Sequence, residues 1–120
     1  MNQTNKYDLE ERTAKFAEDI VIFCRSISKD QMAMPIITQL LRSATSIGAN
    51  YMEANGASSK KDFANKIFIC KKEAQETKYW LRLLKISHPE LKEKIDYFWK
   101  EAQEFTLIFQ KITSTIRTQK

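Results

Sequence analysis

The sequence predicts an all-α fold, an antiparallel up-down-up-down, left-handed four-helix bundle. Three observations carry that expectation. The 120 residues include only two glycines and two prolines, and hairpins and sheets need turn residues that such a chain lacks. Apolar residues recur at alternating three- and four-residue steps over four long segments, the period of a helix with one buried face. Only a few residues separate the segments, so successive helices must run antiparallel, and heptad spacing suits crossing angles of about 20°. A single domain over residues 1–120 is long enough to bury roughly two-thirds of its unfolded surface.

The four helices are expected at about residues 7–28, 34–55, 59–86 and 89–117. Residues Met1 to Asn5 are polar and read as a frayed start. From about Tyr7, the stripe Leu9, Thr13, Phe16, Ile20, Phe23 and Ile27 marks the first helix. Pro35 suits the first turn of the second, where its missing N–H costs nothing. Ile37, Leu40, Ala44, Ile47 and Tyr51 form the second stripe. Gly48 within that helix permits close backbone approach, and Asn55-Gly56 suits a left-handed C-terminal cap. Ser58 or Ser59 then caps the third helix, with Asp62 completing a capping-box-like pair. Its stripe is Phe63, Ile67, Cys70, Ala74, Thr77, Leu81 and Leu84. His88-Pro89 separates the third and fourth helices, with Ser87 as the expected cap and His88 as a surface turn residue. Leu91, Ile95, Phe98, Ala102, Phe105, Phe109, Ile112 and Ile116 give the fourth helix about four heptads. Glu90–Lys94 and Asp96–Lys100 are expected ion pairs on its wet side.

Composition narrows the function classes. The only histidine is His88, so the paired Glu-x-x-His set of a di-iron bundle cannot be built. Phosphate-cradling glycine loops are missing, and Ser58, Ser59 and Lys60 lack partners that would activate a nucleophile. Cys24 and Cys70 lie on or beside apolar stripes and read as inert, reduced thiols. The expectation is therefore a protein that is not an enzyme, with no cofactor, no metal and no small-molecule substrate. The polar opening has no signal-peptide pattern and no apolar run reaches a membrane span, so a cytoplasmic location without membrane contact is expected.

What remains is surface. The net charge is +5, which makes acidic partners such as RNA or DNA worth testing. Lys71, Lys78 and Lys85 recur every seven residues and line one edge of the third helix. With Arg82, Lys60 and Lys61 they are the candidate phosphate contacts, and Tyr79 is near enough for stacking; a plain solvated edge is the competing reading. Phe68, Ile69, Trp80 and Leu107 fall outside the core stripes and are candidates for a homo-oligomer interface. Val21 and Ile22 on the first helix are also surplus. Ser46, Asn50 and Glu53 form a polar set late in the second helix. They serve either as hydrogen bonds across the turn, to Ser58, Ser59 or Lys61, or as a small polar pocket.

One stretch is distinctive. QLLRSATSIGAN, continued by YMEANGASSKKDFANKIFICKKEAQETKYWLRLL, closely resembles the four-helix-bundle family named for the 23S rRNA intervening-sequence protein, also called S23-like. Gln39, Arg42, Ser46, Ile47, Asn50, Glu53, Gly56, Ser59, Asp62, Phe63, Glu76, Tyr79 and Trp80 fall on the family pattern. Tyr51-Met52 and Ala54-Asn55 depart from it. The similarity runs from about Phe16 to Ile112. It implies a bacterial bundle that often assembles as a cyclic pentamer. Members of the family were first noticed inside insertions of 23S rRNA genes, and a related branch contacts reverse transcriptase and nucleic acid. The resemblance attaches no enzymatic activity. A nucleic-acid enzyme joins RNA, DNA and further copies of the chain among the partners it implies.

Overall fold

The computed structural model describes residues 8–118; the expected start at Tyr7 and the frayed Met1–Asn5 lie outside them. Within that range the chain is all-α, with helices α1 (Leu9–Ser26), α2 (Ala33–Asn55), α3 (Lys60–Ser87) and α4 (Lys92–Thr118). Cross-helix contacts set their directions. Thr13 meets Gly48 while Glu10 meets Asn55. Ser43 meets Thr77 while Glu53 meets Lys66, and Lys71 meets Gln110 while Lys85 meets Asp96. In each pair one residue number rises as the other falls, so neighbours run antiparallel in a four-helix bundle.

Local chemistry sets the ends. Asp8 caps α1 by accepting from the Glu11 N–H at 3.1 Å. The helix stops at Ser26, short of the expected 28, because Ile27 turns extended to bury its side chain. Lys29 reaches back to the carbonyls of Cys24 (2.7 Å) and Ile27 (2.8 Å), satisfying acceptors that the helix leaves open. At the start of α2 the Asp30 carboxylate accepts from the Ala33 N–H at 2.7 Å. The left-handed cap expected at Gly56 is not made: its φ is −99° and ψ 13°. Short turn bonds from the Gly56 and Ala57 N–H groups to Glu53 and Ala54 satisfy the carbonyls without it. Ser59 caps α3 at the Asp62 N–H, 3.0 Å away.

The last junction differs most from expectation. Pro89–Leu91 forms a single 3-10 turn before α4 begins at Lys92. Ser87 caps nothing; it is the last residue of α3 and donates to the Leu84 carbonyl. His88 is buried (8% exposed) and is not a surface residue. Its Nε2 lies 3.0 Å from Asp30 Oδ2 and its Nδ1 2.8 Å from Ser87 Oγ. A histidine that bridges two links of one bundle end loses its water to protein partners. On α4, Asp96 pairs with Lys85 and Lys92, not with Lys100, and Glu90 forms no ion pair with Lys94.

The core follows the four stripes and adds Cys24, Ala33 and Ala54, with Tyr51, Phe63, Leu91 and Ile112 half-buried at its edge and Ile116 outside it. Gly48 lets α2 approach α1 so closely that an added Cβ would stand 3.2 Å from Thr13 Oγ1. The α1–α4 seam is wider because phenylalanines fill it: Phe16 meets Phe105 edge-on at 5.4 Å, and Phe23 lies 5.2 Å from Phe98. Cys24 and Cys70 are buried free thiols. Desolvation pushes them up to about 11 and about 12, so both stay protonated at neutral pH. Among the described residues no helix is long and apolar enough to cross a membrane.

Candidate nucleic-acid interface

Helix α3 packs against both α2 and α4, and each of its sides has a different job. Phe63, Ile67, Cys70, Ala74, Thr77, Leu81 and Leu84 face the core, all buried except the half-buried Phe63.

The side toward α2 holds the acids. Glu73 is only 6% exposed, and both its oxygens lie within 3.4 Å of the Arg42 guanidinium. Arg42 also binds Glu76. The hydrogen bond to Glu73, opposed by desolvation and helped by Glu76, raises the Arg42 pKa. Thr77 Oγ1 donates to Ser43 Oγ at 3.1 Å in the same seam. Glu73 Oε1 has no hydrogen bond of good geometry, and the buried indole N–H of Trp80 has none. Arg42 and Glu76, both on the family pattern, thus share one polar seam with Ser43, Glu73 and Thr77. Glu73 is not among the sequence candidates, since its burial depends on Arg42 across the seam.

The polar set late in α2 is also structural in its contacts. Ser46 Oγ donates to the Arg42 carbonyl (2.6 Å) and Asn50 Nδ2 to the Ser46 carbonyl (2.8 Å). Glu53 does reach α3, but its partner is Lys66 at 2.6 Å in place of Ser58, Ser59 or Lys61. Lys66 lies two turns into α3, level with Glu53 on the antiparallel neighbour.

The side toward α4 carries the seven-residue lysine row, and there the ammonium groups are engaged. Lys71 donates to Gln110 (2.6 Å), Lys78 to Gln103, and Lys85 to Asp96 (2.8 Å). The bonds from Lys85 and then Lys92 hold the Asp96 carboxyl below its usual range.

The outward side is the open one. Lys61, Asn65, Phe68, Lys72, Gln75, Tyr79, Arg82 and Ile86 follow four/three steps, and every one is exposed. The stripe has three cations and two aromatics and no carboxylate, because the acids of α3 sit elsewhere. Lys61 to Arg82 spans about 32 Å at 1.5 Å per residue. Of the sequence candidates, Lys61 and Arg82 lie on this stripe and Lys60 beside it, while Lys71, Lys78 and Lys85 do not. Lys72 was missed, although it continues the four/three pattern one residue after Lys71.

The interface candidates divide. Phe68 and Leu107 are 38% and 58% exposed, with the Arg117 guanidinium 5.7 Å over the Phe68 ring. Ile69 is half-buried, and Trp80 packs against the core of its own bundle. Val21 and Ile22 are exposed on α1. Among the described residues no three His, Cys, Asp or Glu side chains gather as a metal-binding group.

Fold and signature together define an all-α bundle protein whose distinctive residues build the α2–α3 joint. The model for the 23S rRNA-intervening sequence protein family matches residues 5–111, and the chain belongs to that family. It is similar to a crystal structure from Bacteroides thetaiotaomicron, described as a protein of unknown function from the S23 ribosomal protein family. The two are 36% identical with a TM-score of 0.79, over 87% of this chain and 96% of the other. A comparison with curated proteins finds no match.

Proposed function

We propose that this chain is a non-enzymatic, cytoplasmic bundle protein that binds RNA or DNA along the outward side of α3 and assembles with copies of itself. One observation carries the first part: an exposed stripe about 32 Å long presents Lys61, Lys72 and Arg82 with Phe68 and Tyr79 and no acid. Cations without neighbouring carboxylates gain most from phosphates, whose counterions they displace. Glu73 and Glu76 pair with Arg42 on another side.

The test is whether purified protein carries nucleic acid. An absorbance ratio at 260 and 280 nm above that of the protein alone, removed by nuclease and high salt, supports the reading. Clean protein that also leaves added RNA and DNA unbound at low salt rejects it.

Self-assembly rests on apolar side chains left in water, Leu107 on α4 and Val21 and Ile22 on α1. The family resemblance suggests a ring of five. Sedimentation should show an assembly at tens of micromolar, and a monomer there contradicts it. The competing reading is a protein-interaction module using the same apolar residues. It predicts assembly or partner capture with no nucleic acid present.

A further inference from the structure

We propose that the α3 stripe selects single-stranded over double-stranded nucleic acid by stacking bases on Tyr79. The inference rests on the nucleic-acid reading above and names the substrate class.

Two features of the fold point that way. The first is shape. A recognition helix enters a major groove about 12 Å wide, but α3 is flanked on both sides by α2 and α4. Packed neighbours lie roughly 8–10 Å from its axis, so α3 is braced on two sides and does not approach a groove as a free helix would. The second is the aromatic pattern. Along the stripe, cations and rings alternate: Lys61, Phe68, Lys72, Tyr79, Arg82. Tyr79 is 54% exposed, and its ring meets Trp80 edge-on at 5.1 Å and 72°. Trp80 therefore props the tyrosine without covering it. In a duplex the base faces are stacked on one another and offer such a ring nothing. In a single strand they are free, and every base has a face to stack. Lys72 and Arg82 lie about 10 Å and 5 Å along the axis from Tyr79, near enough to hold phosphates on either side of a stacked base. At Phe68 the Arg117 guanidinium stands over the ring, so that position offers a cation in place of an open platform.

The experiment measures fluorescence anisotropy at fixed low salt with oligo(U), oligo(dT) and a blunt duplex. Each probe is about ten nucleotides or base pairs long, within the usual site size of single-strand binders. Both single strands should bind more tightly than the duplex, and comparing them separates RNA from DNA as the preferred strand. Tyr79→Ala should weaken single-strand binding about tenfold or more and leave duplex binding unchanged. Tyr79→Phe should bind like the wild type. Lys72→Ala should weaken every probe. Equal or tighter duplex binding, or an unaffected Tyr79→Ala variant alongside a weakened Lys72→Ala, overturns single-strand selection and leaves the nucleic-acid reading standing. No binding to any probe removes both.

Discussion

The ammonium group of Lys78 on α3 donates to the side-chain oxygen of Gln103 on α4 and stands 5.2 Å over the ring of Trp99. Seven residues earlier on α3, Lys71 meets Gln110, and seven later, Lys85 meets Asp96. A step of seven up α3 matches a step of seven down α4, so the row is a ladder between antiparallel helices. Lys78→Ala should cost about 1–2 kcal/mol in denaturant unfolding, since it removes a charged hydrogen bond and a cation–π contact. Adding Gln103→Ala should then cost little more. A solvated lysine would instead change stability by less than about 0.5 kcal/mol.

Arg42 and Glu73 define the opposite seam. Glu73 is buried and its nearest cation is Arg42. Arg42→Ala should destabilise by about 3 kcal/mol or more, because it strands a buried carboxylate. Replacing both residues by methionine should recover most of that loss, as an apolar pair needs no counter-charge. Chemical unfolding of the three proteins decides it; equal losses in the single and double variants would contradict the pairing.

Gly48 and Thr13 mark a close contact between α1 and α2. Alanine is worth about 1 kcal/mol over glycine inside a helix, yet a Cβ at Gly48 meets Thr13 Oγ1 at 3.2 Å. That hydroxyl is held by the Leu9 carbonyl at 2.7 Å. Gly48→Ala should therefore gain less in the wild type than in a Thr13→Ala background. A double-mutant cycle should show coupling of at least about 0.5 kcal/mol, and strict additivity would mean that the helices do not press together there.

Asp30 gives the fold a pH signature. The Ala33 N–H and then His88 hold its carboxyl below the usual range. A carboxyl depressed in the folded state stabilises above its unfolded value, near 4, and loses that contribution as pH falls through the folded value. Asp30→Ala should melt lower than wild type at neutral pH, with the gap closing below about pH 4. A gap that persists unchanged at pH 2–3 would show that the carboxylate charge is not involved.

The sequence carried the bundle and its core because helical periodicity and the scarcity of turn residues are local properties. Ser59 as a cap and Gly48 as a close-contact site were legible for the same reason. Lys78 and Lys71 were not, because a solvated lysine and one bound across a seam look alike until the partner helix is placed. Trp80 looked surplus since it lies off the narrow core stripe, yet in the bundle it packs against that core. His88 read as a surface residue beside a proline, because its partner Asp30 lies 58 residues away in sequence. The outward stripe was within reach: Lys72, Tyr79 and Arg82 share a four/three spacing with Lys61 and Phe68. The more regular heptad of lysines lies beside it, and sequence alone does not show that α4 occupies that row.

The most direct test of the central claim compares nucleic-acid affinity across salt for three proteins. These are the wild type, Lys72→Glu with Arg82→Glu, and Lys71→Gln with Lys85→Gln. With about three cations neutralised by a single strand, the wild-type log–log slope should be near −2. The Lys72/Arg82 variant should lose binding, while the Lys71/Lys85 variant should lose stability and keep its affinity. Binding that ignores salt, or that is lost with Lys71 and Lys85 but survives reversal of Lys72 and Arg82, would contradict the assignment of the interface to the outward side of α3.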